Sequence, residues 1–345
     1  MPTTTPQAPR SLGFYQPAEW APHDAVWLAW PSSAELWAEQ LAPAQEAFTK
    51  LALALSAPDE RLEVLVPDAA REAEARAALA GANARFHRAA FGDIWLRDTA
   101  PIFLVDDRGR LASVSFRFNG WGGKYVLEGD DRVSKHVAAL AWGSPFSADW
   151  VLEGGSVDVD GEGTCLTTEE CLLNPNRNPS LGRADVERGL GEALGAGHVL
   201  WLGRGLVNDH TDGHVDNLAR FVAPGVVACM EPRAPDDPNR EALEAVRRDL
   251  AAMRDARGRR LEVVTLPSPG RVLGPDGRVA AASSVNFYIG NRAVVVPTYG
   301  SPYDDEIVER LGALFPGRRA LGVRADAILT GGGAFHCITQ QQPRP

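Results

Sequence analysis

Near its end the sequence reads TGGGAFHCITQQQP (residues 330–343), which sets a thiol, Cys337, behind three glycines and beside a histidine. Glycines without Cβ atoms permit unusual backbone angles and close approach, which sets this thiol apart as a candidate nucleophile, although taken alone it also reads as a core cysteine. Other side chains able to do chemistry stand in short motifs: Asp98 in DIWLRDTAP, Glu153 in VLEGGS, His214 and Asp216 in DHTDGHVDN, and Asn286 in ASSVN. A thiol, an imidazole and three carboxylates can together run nucleophilic catalysis on a cation. Carboxylates bind a planar cation bidentately, a histidine shuttles protons, and a thiolate attacks carbon. A guanidinium is the obvious planar cation.

The elements around these motifs repeat. Paired β-branched runs at 101–118, 156–168, 217–230 and 283–297 are split by turn signals at Asp107 to Gly109, Asp160 to Gly163, Pro224-Gly225 and Gly290-Asn291, and predict four hairpins. Helical periodicity covers 35–56, 68–80, 130–141, 183–194, 237–256 and 304–314, and single strands are expected at 25–30, 62–66, 198–203 and 261–266. Four or five similar blocks predict α/β units of ββαβ type set radially about an axis. Each motif precedes a hairpin, so equivalent positions should bring Asp98, Glu153, His214, Asp216, Asn286 and Cys337 to one end of that axis. A strand near 335–340 would complete a unit with AVWLAW (25–30), and Gly331 to Gly333 would aim Cys337 inward.

Charge and composition narrow the partner. The net charge is −10 with scattered basic residues, which disfavours nucleic acid and anionic membrane and leaves a cationic or neutral small molecule. The opening MPTTTPQAPRSLGFYQP has no apolar signal region and no run reaches the roughly 18 apolar residues of a membrane span, so a cytoplasmic location is expected. Residues 1–12 read as a disordered or extended tail and 13–345 as a single catalytic domain. Cys165, Cys171 and Cys229 lie in apolar strand-like runs and read as small buried hydrophobes.

Blander readings stand beside these. Asp98 can pair with Arg97, Glu153 can cap backbone amides, and His214 with Asp216, on one side of an extended strand, can form a structural polar pair. The stretch 209–216, with two histidines and three aspartates, also suits a metallohydrolase, although no further histidine cluster accompanies it and Cys337 would be idle. DVDGEG (158–163) lacks the third acidic ligand of a calcium loop and its Glu at position 12, and reads as a hairpin turn. A protein that merely binds a guanidinium or polyamine is the non-enzymatic alternative.

The stretches PAEWAPHDAVWLAWP, DIWLRDTAPIF, FNGWGGKY, LEGGSVDVDGEGTCLTTEECLLNPNRNP, TDGHVDN, VNFYIGN and GGGAFHCITQQQP, in this order from about residue 13 to 343, resemble the agmatine deiminase family. That family lies within the guanidino-group-modifying (pentein) superfamily, with arginine and peptidylarginine deiminases. The resemblance implies a five-bladed α/β propeller with a central active site and no metal or organic cofactor. Carried over, Cys337 is the nucleophile, His214 the general acid/base, and Asp98 and Asp216 the guanidinium clamp. Glu153 orients and charges His214, Trp95 and Trp121 line the pocket, and Asn286 and Gly333 join the substrate-binding residues. The implied reaction hydrolyses agmatine to N-carbamoylputrescine and ammonia through a covalent thiouronium; deimination of arginine, peptidyl-arginine or a related alkylguanidine is the alternative. Relatives imply a homodimer or higher homo-oligomer. The sequence departs from the family at Ala334-Phe335 and in a shorter 268–281 segment, which bears on the substrate tail.

Overall fold

The computed structural model describes residues 7–345. Strands β1 (His23–Ala29), β2 (Arg61–Val66) and β3 (Ala84–Arg88) run parallel and are joined by the helices Leu41–Leu55 and Ala69–Ala78. The next four sheets share a tighter plan, an antiparallel hairpin followed by a helix and a parallel outer strand. They are β4 (Ile102–Val105), β5 (Leu111–Arg117) and β6 (Ser144–Val151); β7 (Asp158–Val159), β8 (Thr164–Thr168) and β9 (His198–Leu202); β10 (Ala219–Ala223), β11 (Val226–Glu231) and β12 (Glu262–Pro267); and β13 (Tyr288–Ile289), β14 (Ala293–Thr298) and β15 (Arg319–Arg324). The crossovers carry the helices Asp130–Leu140, Arg183–Leu194, Arg240–Ala252 and Asp304–Leu314. β16 (Gln340–Pro343) closes the fifth sheet antiparallel to β1, pairing Trp27 with Gln340 and Ala25 with Gln342. This is the five-bladed α/β propeller expected from the sequence.

Strand burial follows position. The middle strand β14, AVVVPT, is buried along its whole length because a helix layer covers one face and the neighbouring core the other. The outer strands β3, β6 and β15 are mostly part-exposed, so ARFHR, SPFSADWV and RALGVR show no apolar run and escape a periodicity search. The expected helix 35–56 is broken: Ala34–Trp37, capped by Ser33 Oγ on the amide of Leu36, gives way to a 3-10 turn at Ala38, whose φ of 45° no α-helix contains, before Leu41–Leu55 begins. Pro9–Leu12, inside the expected tail, forms a 3-10 turn, while the first six residues of that tail lie outside the described residues. The closing strand lies a few residues beyond the expected 335–340, leaving Phe335 to Thr339 as the turn that carries Cys337. Among the described residues no helix is long and apolar enough to cross a membrane.

What positions the site is the entry to each innermost strand. A helical turn at Leu96–Thr99 leads to β4, and 3-10 turns at Gly154–Ser156 and Val215–Asn217 lead to β7 and β10. The first two turns pack together, as do the second and third. Side chains on these turns therefore face the axis from equivalent places.

Candidate active site

Asp98 sits on the first of these turns, buried, and does not pair with Arg97. Its Oδ1 accepts the Gly155 amide at 2.9 Å and its Oδ2 the Trp121 indole N–H at 2.9 Å. Arg97 turns away, donating to Gln341 Oε1 at 2.7 Å and Glu19 Oε2 at 3.1 Å, and its amide donates to the Cys337 carbonyl. His214 caps the 3-10 turn that holds Asp216, so the extended strand expected there is absent; a turn directs both side chains to the axis. His214 Nδ1 lies 3.9 Å from Asp98 Oδ1 and Nε2 lies 3.9 Å from Glu153 Oε2, beyond hydrogen bonding but close enough for strong Coulombic attraction. Both ring nitrogens are buried without a hydrogen-bond partner.

Cys337 enters from the opposite side. Asn286 Nδ2 donates to its sulfur at 3.2 Å, Asn286 Oδ1 accepts the amides of His336 and Cys337 at 3.0 and 3.4 Å, and Asp216 Oδ2 lies 3.8 Å from the sulfur. Asn286, grouped with the substrate-binding residues by sequence, thus stands behind the thiol and, like the fully buried Glu153, His214 and Asp216, is not in the pocket wall; of the expected site residues the wall holds Trp95, Asp98, Trp121, Gly333 and Cys337. A cavity of about 250 Å³ opens onto the sulfur, walled by Trp95, Asp98, Trp121, Tyr125, His210, Gly333 and others. Two glycines leave room for the site residues. A Cβ on Gly155 would stand 2.6 Å from His214 Nδ1, 2.9 Å from Asp216 Oδ2 and 3.1 Å from Asp98 Oδ1, a point where three site residues meet. A Cβ on Gly333 would stand 3.0 Å from the Cys337 sulfur and 2.8 Å from the Trp95 ring. Of the glycine run only Gly332 takes a left-handed φ, 105°; Gly331, like Gly333, is required by its closeness to Trp95.

The charges are arranged unequally. Burial, joined by the Asp216 and Asp98 charges, pushes the Cys337 thiol well above its ordinary value, so in the empty site the sulfur keeps its proton. Burial pulls the His214 imidazole down, but Asp98, Cys171 and Glu153 overcome it and hold the ring well above its usual range. Burial raises Glu153 too, yet His214 and Arg177 leave it below the usual carboxylate value; Arg177 Nε donates to its Oε1 at 2.7 Å. Asp98 is raised by burial and by Asp216 and Glu153 nearby.

Sequence reasoning missed Glu19, Cys171, Arg177 and His336. His336, beside the thiol, bridges Asp216 Oδ2 (2.7 Å) and Glu19 Oε2 (2.8 Å) with its two ring nitrogens, and burial of Glu19 is offset by Arg220, His336 and Arg97, which hold its carboxyl well below the usual range. Asp216, held down by His336 against its burial, keeps Oδ1 buried and without a partner. Cys171, expected in a strand, lies in the helical turn Glu169–Leu172, its donor atom within 4.8 Å of those of Glu153 and His214. Cys165 and Cys229 lie buried in β8 and β11, as expected. The metal-site reading of 209–216 loses its geometry, because His210 is exposed at the cavity mouth beside Tyr125 whereas His214 is fully buried. Asp160 Oδ1 accepts the amides of Glu162 and Thr164, so DVDGEG is a hairpin turn.

A propeller of ββαβ blades with thiol, imidazole and carboxylates at its axis defines a guanidino-group-modifying protein. The sequence signature of Porphyromonas-type peptidyl-arginine deiminases matches residues 15–343, and the chain belongs to that family. It is 41% identical to the agmatine deiminase of Stutzerimonas stutzeri across 99% of both chains, and 40% identical to that of Pseudomonas aeruginosa strain LESB58 across 100% of this chain and 98% of the other. It superposes on the solved agmatine deiminase of Enterococcus faecalis with a TM-score of 0.92 at 35% identity, covering 98% of each chain.

Proposed function

We propose that this chain hydrolyses the guanidinium group of agmatine to N-carbamoylputrescine and ammonia. The observation that carries the reading is the cavity with what stands behind it: Cys337 and Asp98 in its wall, the buried Asp216 carboxylate and His214 converging with Asp98 at Gly155, and no lysine or arginine in the wall among the described residues. A guanidinium held between Asp98 and Asp216 presents its carbon to the sulfur and supplies the positive charge that draws off the thiol proton. Asn286 Nδ2 supports the resulting thiolate.

The sulfur adds to the carbon, and His214, already charged, gives its proton to the departing nitrogen, so ammonia leaves and an S-alkylthiouronium remains. His214, now neutral, takes a proton from water as the water oxygen attacks the same carbon. Collapse breaks the C–S bond and yields the ureido product. Such a general acid/base contributes roughly 10²–10⁴-fold in rate. Glu153, anchored by Arg177, keeps His214 charged between steps, and Trp95 and Trp121 wall the substrate.

Free arginine would bring a carboxylate into a wall with no cationic side chain, which favours agmatine. The reading further includes residues 13–345 acting as one catalytic domain, in the cytoplasm, as a homodimer or larger, without nucleic acid or membrane; the net charge of −10 supports the last point. Ammonia and ureido product are to be measured with purified protein and agmatine, arginine and simple alkylguanidines. Failure to release ammonia from any of them removes the reading.

A further inference from the structure

The cavity wall contains a second carboxylate besides Asp98. Asp93 is 8% exposed, and its two oxygens each accept one indole N–H at 2.9 Å, Oδ1 from Trp37 and Oδ2 from Trp95. The two indoles stack, with ring centroids 6.2 Å apart and planes 26° apart, so they grip the carboxylate in a fixed orientation. A carboxylate has about four acceptor positions, and the indoles use two. Among the described residues no lysine, arginine or histidine comes within 4.0 Å of it, whereas Glu19, Glu153, Asp158 and Asp216 each have such a partner; the buried Asp130, Asp160 and Asp237 lack one too, but they do not line the cavity. A buried anion without a cation is costly unless a ligand brings one.

Trp95 relates this carboxylate to the reacting end. The place of a Cβ on Gly333 lies 2.8 Å from the benzo edge of the indole (Cζ3) and 3.0 Å from the Cys337 sulfur, while the opposite, pyrrole edge carries the N–H that Asp93 accepts. The sulfur and Asp93 thus lie at opposite edges of one rigid ring. The ring is pinned by Trp37 on one side and by Gly331 and Gly333, where any side chain would strike it. An alkyl chain laid along this face has its guanidinium at the sulfur and its far end at Asp93. The Lys124 and Arg278 side chains of the adjoining vestibule are engaged by Asp212 and Asp276, leaving the carboxylate as the charged group that meets the tail.

We propose that Asp93 is the specificity-determining residue for the substrate's distal end, binding a primary ammonium carried on a short alkyl chain. This rests on the reading of the site as a guanidinium hydrolase and adds which tails it accepts. Burial pushes the Asp93 carboxyl up against the pull of the two indoles, as expected for an acid awaiting a cation. A neutral tail gains nothing there, and an α-carboxylate meets like charge.

The experiment compares kcat/KM for agmatine and for butylguanidine, which lacks only the terminal amine, in wild type, D93N and W37F. A charge-assisted hydrogen bond predicts a wild-type preference for agmatine of about 10–10²-fold, falling close to one in D93N and persisting in W37F, which keeps the carboxylate. The proposal is overturned if wild type shows no preference, a result that needs no variant to fold, or if D93N keeps the preference. Turnover of neither compound by wild type removes the hydrolase reading and this assignment with it, whereas turnover without preference removes this assignment alone.

Discussion

His336 Nδ1 stands 2.7 Å from Asp216 Oδ2, and the same ring reaches Glu19 Oε2 with its other nitrogen at 2.8 Å. His336 anchors Oδ2, the oxygen that also faces the Cys337 sulfur and the meeting point at Gly155, and so fixes how the carboxylate is presented to a guanidinium. His336→Gln removes the ring that reaches both carboxylates at once. It should raise KM about tenfold and lower stability by about 1–3 kcal/mol, the cost of a buried acceptor left unmet. Steady-state kinetics and denaturant unfolding read the two effects; an unchanged KM would show that Asp216 needs no such anchor.

The proton on Cys337 should leave only when a cation arrives. Binding of an unreactive guanidino ligand to wild type is expected to release close to one proton, and binding to Cys337→Ser none. Calorimetry in buffers of different ionisation enthalpy counts these protons. Cys337→Ser should also lose turnover by at least about 10⁴-fold while melting like wild type. Equal proton release by both proteins would place the ionisation on another group.

Gly155→Ala puts a methyl at the meeting point of His214, Asp216 and Asp98. Because the contacts include a ring nitrogen at 2.6 Å, the site must spread, costing about 1–3 kcal/mol and an activity loss of about 10²-fold or more. Wild-type kcat/KM in this variant would refute the convergence described for the site.

His214 carries the pH dependence. Its folded value lies well above the ordinary imidazole value of about 6.5, so the stability it contributes is fully present below about 6.5 and is lost as pH rises through the folded value. The stability difference between wild type and His214→Gln should therefore shrink steadily through the alkaline range. An imidazolium donor also predicts that kcat/KM falls on the alkaline side, and Glu153→Gln, which removes one of the charges holding the proton, should move that fall to lower pH. A gap that widens with pH, or an alkaline limb that moves upward, would contradict the assignment.

Much of this architecture is legible in the residue pattern. All four hairpins announce themselves because a turn signal separates two apolar runs, and the crossover helices do so by their 3.6-residue stripe. β3, β6 and β15 do not, since a strand at the outer edge of a blade has one neighbour and a wetted face. Asp98, Glu153, His214 and Cys337 are found from their shared place ahead of the hairpins. Glu19 and His336 are not, because their pairing joins PAEWAPH to the C-terminal motif and depends on the ring being closed. A histidine flanking a nucleophile and an acid in an otherwise apolar motif were the available signs. His214 and Asp216 show a related limit: alternation implies a strand, but residues beside a glycine turned tightly enough to form a 3-10 turn instead.

The pairing of β16 with β1 has a temporal consequence. A ribosome must deliver Gln340–Pro343 before the oldest strand of the nascent chain gains its last neighbour, and Cys337 is seated only as that seam is sewn. Four blades can assemble earlier, yet the sulfur meets its histidine only once that seam has formed, so a chain stopped short of β16 has no working thiol to misfire.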